Sequence, residues 1–181
     1  MSMQRTILTW GLISGAISGG LMLVTIPFAE KAGFERAEIF GYATLVLSAL
    51  MIFFGVRSYR ENVAAGTLSF GRGFLVGVGI ALIAALCYVA VWMFVYYTFF
   101  PDFYDNFAAH ILDKAKRDGA SGEKLAAIAA QADEIRQISG KPLLVVAMTF
   151  VESFPIGLVA AAIAAGILRR RSKTPQAVQA S

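Results

Sequence analysis

The sequence predicts an all-α membrane protein: four transmembrane helices with both termini cytoplasmic, and an amphipathic helical hairpin in the outer loop 102–139. Three observations carry that prediction. The 181 residues are 57% hydrophobic and only 15% charged, against roughly 25% charged in soluble domains, and the mean hydropathy is +0.66. The charges are bunched, leaving four long stretches almost free of them. The basic tail RRRSK directly follows the last apolar stretch, as it does at a membrane boundary. One domain over 1–173 is expected, followed by a flexible cytoplasmic tail over 174–181.

The spans follow from the punctuation. Between Arg5 and Glu30 lie 24 uncharged residues, between Glu38 and Arg57 18, and between Arg72 and Asp102 29. From Lys141 to Arg169 the one charge is Glu152. A bilayer core needs roughly 20 apolar residues as helix, so the spans are placed near 7–28, 39–56, 73–99 and 142–168. The first is too long for a signal-peptide core and reads as a retained span. The third ends in YVAVWMFVYYTFFPDF, where Trp92, Tyr96 and Tyr97 suit an outer aromatic belt.

Orientation comes from the loops. Arg57, Arg60 and Arg72 between spans two and three face Glu61 alone, and Arg169, Arg170, Arg171 and Lys173 have no acid beside them. The long loop mixes six basic with seven acidic residues. The positive-inside rule puts the 58–72 loop and both termini in the cytoplasm. Arg57, Arg60 and Arg72, flanking the short loop around Gly66, read as headgroup anchors, with an anionic-ligand site as the alternative.

Within the long loop, Phe103, Phe107, Ile111 and Ala115 fall on one helical face, and Leu125, Ile128, Ala132 and Ile135 on another. Asp118-Gly119 ends the first helix and Ser121 caps the second. The hairpin reads either as a lid on the bundle or as a partner-docking arm. In lipid, close backbone approach holds helices together. Gly11, Gly15 and Gly19, then Gly73 and Gly77 with Ala81 and Ala85, then Gly157 with Ala161 and Ala165, supply small residues every fourth position. They serve packing within one chain or a homo-oligomer.

Glu152 lies ten residues past Pro142, roughly 15 Å along the helix. A carboxyl at such depth faces protein or water. At matching depth stand Ser48 in span two, Tyr88 in span three and Ser18 or Gly20 in span one. Pro155 removes the hydrogen bond to the Val151 carbonyl and predicts a bend, with Thr149, Ser153 and Glu152 near enough to satisfy the freed group. Two readings stand: an acid that locks a kinked helix, or a proton or cation site open to a cavity.

Other chemistry is excluded on residue grounds. The single Cys87 and single His110 supply no metal or haem ligand set, and no cofactor motif or Ser/His/Asp set occurs. No basic face interleaved with aromatics suggests nucleic acid. The expected partners are the lipid bilayer and a protein docked through the outer hairpin, with a non-enzymatic assembly or membrane-organising role. A small transporter or channel using Glu152 is the alternative.

Three stretches in order carry a resemblance: GYATLVLSALMIFFGVRSYRE running into LSFGRGFLVGVGIALIAALCYVAVW, then YTFFPDF, then TFVESFPIGLVAAAIAAGILRRR. Here the chain resembles the bacterial membrane proteins classed as domain of unknown function 4199, over nearly everything from span one to the basic tail. The Glu-x-x-Pro-x-Gly run and the Tyr-Arg pair before Ser-Phe-Gly are its most specific points. The resemblance implies a small integral protein of a bacterial inner membrane and carries no activity.

Overall fold

The computed structural model describes residues 2–32 and 34–169, with side chains for 2–25, 43, 44 and 46–169. Six α-helices appear there, and no strands: α1 (Met3–Ala32), α2 (Phe34–Asn62), α3 (Phe70–Phe99), α4 (Phe103–Arg117), α5 (Gly122–Arg136) and α6 (Pro142–Leu168). Three of them, α1 over Met3–Thr25, α3 and α6, are long and apolar enough to cross a membrane. Arg170, Arg171, the tail 174–181 and the side chains of the first loop lie outside the described residues.

Three helices, α1, α2 and α3, run further than the charge-free stretches that announce them. α2 continues past the arginines to Asn62, where Arg57 Nε donates to Glu61 at 2.9 Å one turn on. A helix ends where its backbone partners end, not at the last apolar residue. The connection to α3 is therefore residues 63–69 rather than 58–72. Gly66 turns the chain at φ +79°, and Ser69 caps α3 by accepting from the Arg72 N–H.

The bundle is held by small residues in strict register. Along α1, a Cβ on Gly11 would lie 2.7 Å from the Ile83 Cβ, one on Gly15 2.5 Å from the Cys87 Cβ, and one on Gly19 2.8 Å from Val91. Both sequences of contacts rise by four, so α1 and α3 run parallel. Gly73 meets Ala165, Gly77 meets Ala161 and Gly157 meets Ala81. There one sequence rises as the other falls, so α3 and α6 are antiparallel. α2 packs on α1, α3 and α6, with Gly55 tucked against Trp10 and Ile80. Its Ser48 hydroxyl bonds Ser14 on α1 at 3.0 Å. All six glycines of the sequence pattern thus pack inside one chain.

What faces outward is apolar. Val151, Val159, Ile163 and Ile167 on α6 are 56–67% exposed, and Leu12, Leu86 and Phe94 more than half exposed. A soluble protein rarely shows so continuous an apolar surface; hydrocarbon is its natural solvent.

The hairpin of α4 and α5 is seated on the bundle by its own small core. Tyr96, Tyr104, Ile138 and Val145 are buried together, with Trp92, Met93, Phe103 and Ile135 packed around them. Trp92 meets Phe103 edge-on at 5.0 Å and Tyr96 lies 5.4 Å from Tyr104. The Tyr96 hydroxyl accepts from the Gly140 N–H at 3.4 Å, and the Ser139 hydroxyl donates to Asp105 at 2.7 Å. The face expected to carry Phe103, Phe107, Ile111 and Ala115 is turned inward as expected, with Phe103 on the core and Phe107, Ile111 and Ala115 toward Ile128 of α5, but it is broader than those four. Tyr104, Ala108 and Ala115 are the buried positions of α4, because α4 must serve the bundle and α5 at once.

Candidate functional site

The polar groups of the apolar helices gather at one level in two adjoining places. The first is a cavity of about 30 Å³ among α1, α2, α3 and α6, lined by Ser18, Thr44, Ser48, Tyr88 and Ser153 together with alanines and Ile52. Local helix chemistry orients these hydroxyls. Ser18 donates back to the Ser14 carbonyl at 2.9 Å, and Ser153 to the Thr149 carbonyl at 2.8 Å. A short hydroxyl in a helix readily bonds the carbonyl one turn earlier. Each therefore spends its one hydrogen on its own helix and shows an oxygen to its surroundings.

The second place is Glu152. It does not line the cavity. Its side chain is exposed on α6, in the stripe that also carries Met148, Val151, Pro155 and Val159. Among the described residues it has neither a hydrogen-bond nor an ion-pair partner. Two tyrosines stand within electrostatic reach: Tyr88, at the cavity wall, and Tyr104, reaching down from α4. Burial pushes the Tyr104 phenol up, and the Glu152 charge adds a smaller push in the same direction; polar contact with Trp92 and Thr149 acts against it.

The sequence-matched residues are thus divided. Ser48, Tyr88, Ser153 and Ser18 meet around one cavity, while Glu152 stands beside it and is not part of its wall. α6 runs unbroken through Pro155 from Pro142 to Leu168. The neighbouring hydroxyls do not rescue the carbonyl that the proline orphans. Thr149 bonds the Val145 carbonyl and Ser153 those of Thr149 and Phe150, not that of Val151.

Sequence reasoning missed Thr44 and Tyr104. Thr44 was legible as another hydroxyl one turn from Ser48. Tyr104 carried no signal, since its role depends on how α4 folds back onto α3. Among the described residues no group of three or more His, Cys, Asp or Glu converges in a way that would hold a metal.

A family model described as "Protein of unknown function (DUF4199)" matches residues 9–170. No curated protein and no solved structure matches the chain.

Proposed function

We propose, for a chain that belongs to the family Protein of unknown function (DUF4199), a non-enzymatic partner-binding role in a bacterial inner membrane. In this reading α2 is a fourth span over 39–56, both termini are cytoplasmic, and the α4–α5 hairpin stands on the outer face. The partner contributes a transmembrane segment that lies along α6 and carries a lysine or arginine opposite Glu152, while the hairpin offers a second contact above it.

The observation that carries the proposal is the exposed, unpaired Glu152 carboxyl on the apolar face of α6. An acid near a helix centre costs about 2.5–3.5 kcal/mol to place in the bilayer, and no lysine or arginine occurs in α1 between Arg5 and Lys31, in α3 beyond Arg72, or within α6. A cation from outside the chain offsets that cost. The transport reading has less support: the cavity has room for water rather than a solute, and Glu152 is not part of its wall.

The test uses donor-labelled protein in vesicles with acceptor-labelled Leu/Ala host helices bearing lysine, glutamine or leucine one third of the way in from the outer end. Energy transfer should report association about tenfold tighter for the lysine helix, equivalent to about 1.4 kcal/mol. Glu152→Gln should abolish the difference. Equal association of the three helices overturns the proposal. So does self-association of the protein that depends on Glu152, which would make the occupant a second copy.

A further inference from the structure

The hydroxyl-lined cavity has a property independent of Glu152 and of any partner. Its wall has a definite hydrogen-bonding polarity. The Ser18 hydrogen is committed to the Ser14 and Gly15 carbonyls at 2.9 and 3.2 Å, and the Ser153 hydrogen to those of Thr149 and Phe150 at 2.8 and 3.5 Å. Both oxygens can only accept further hydrogen bonds. Ser14 and Ser48 share one hydrogen bond across 3.0 Å, which occupies one of their two hydroxyl hydrogens. Tyr88 is the complement. Its hydroxyl has no hydrogen-bond partner among the described residues, and no buried side-chain oxygen or nitrogen is left unsatisfied, so the phenol oxygen is open to its surroundings.

We infer that this cavity is a binding site for a single ordered water that ties α1, α3 and α6 together. The water donates to Ser18 Oγ and to Ser153 Oγ and accepts from the Tyr88 hydroxyl. Three bonds is the usual complement of a buried water, and a site holds one once it offers about 10–15 Å³ and two to four polar partners; this cavity has about 30 Å³. The chemistry selects against alternatives. A metal cation would gain only neutral oxygens in a low-dielectric setting, with no carboxylate on the wall. An apolar guest would leave the Tyr88 hydroxyl unmatched, at a cost of about 1–3 kcal/mol. The water gives the bundle a polar joint among α1, α3 and α6. It also places an exchangeable proton donor beside Tyr88, the residue that stands between the cavity and Glu152.

The site is tested by water-to-methyl cross-relaxation in the full-length protein held in lipid nanodiscs, with alanine and isoleucine methyls labelled. Long-lived water contacts are expected at Ala84, Ala85 and Ile156, which line the cavity. They should be lost in Ser153→Val, which fills the space with methyl groups, and weakened in Tyr88→Phe, which removes the donor. The unmodified protein is decisive even if a variant fails to fold. Absence of long-lived water at those methyls overturns the inference. So do xenon-induced shifts of the same methyls, the mark of a dry apolar void, or water contacts that persist undiminished in Ser153→Val.

Discussion

Placing a methyl group on Gly77 should drive α3 and α6 apart, and the cost can be worked from the seam. A Cβ there would lie 2.7 Å from the Ala161 Cβ and 3.0 Å from its Cα. Carbon atoms in contact sit about 3.5–4.0 Å apart, so the overlap approaches 1 Å. The second contact is to backbone, which no rotamer change relieves. Overpacking of this kind costs about 1–3 kcal/mol. Alanine returns about 0.5–1 kcal/mol through its better helix propensity, so Gly77→Ala alone should destabilise by about 0.5–2 kcal/mol. Ala161→Gly vacates the same space. In a double-mutant cycle the propensity contributions cancel, leaving a steric coupling of about 1–2 kcal/mol that favours the pair. Reversible unfolding by denaturing detergent in mixed micelles, or steric trapping in bicelles, reads each corner of the cycle. Strictly additive single changes would refute the register, because they would mean the two positions do not touch.

Three further outcomes follow from other parts of the molecule. Trp92→Ala should loosen the seat of the hairpin, because it removes the ring that packs on Phe103 at 5.0 Å; protease cleavage near Gly119–Gly122 should accelerate several-fold, and unchanged cleavage would count against the aromatic anchor. Ser139→Ala removes the 2.7 Å bond to Asp105 and should raise amide exchange in α4 and α5, with α3 unaffected. Glu61 is held below the ordinary value of 4.5 by hydrogen bonds from Arg57 and then Arg60. A depressed carboxylate stabilises the fold above its unfolded pKa and loses that contribution as pH falls through the folded one. Its carboxyl titration should therefore centre below 4.5 and rise in Arg57→Gln; a midpoint that ignores Arg57 would show the pair is not formed in solution. On so exposed a group the gain is small.

The sequence made the long helices and their small-residue faces legible because both are one-dimensional signals. Charge-free length marks α1, α3 and α6, and fourfold spacing marks Gly11–Gly15–Gly19. It could not name the opposite wall. Nothing local distinguishes Cys87 from Leu86 as the residue that Gly15 receives, since that depends on the rotation and height of α3. Depth was recoverable by counting, which is why Ser18, Ser48 and Tyr88 could be matched to one level. Azimuth was not, and so Ser153 turns into the cavity while Glu152, one residue away, turns out of it. Gly55 escaped notice because it is a single small residue directly after Phe53 and Phe54, with no partner glycine at fourfold spacing, and its value lies in accommodating Trp10 and Ile80 from two other helices. Tyr104 reads as one aromatic among several until α4 folds down onto Trp92.

The evenly spaced seam between α3 and α6 has a weakness built into its regularity. Teeth that repeat every four residues mesh almost as well after sliding one notch: Gly77 would then oppose Gly157, and Gly73 would oppose Ala161, with no collision at either. Such a seam resists separation far better than it resists slippage. What denies the slide is the irregular hardware at its end, where Tyr96, Tyr104, Ile138 and Val145 fit together in one arrangement and Tyr96 reaches the Gly140 backbone. The outer hairpin is therefore a stop as well as a cover. Whatever pulls on it is geared directly to the sliding coordinate of the two helices beneath.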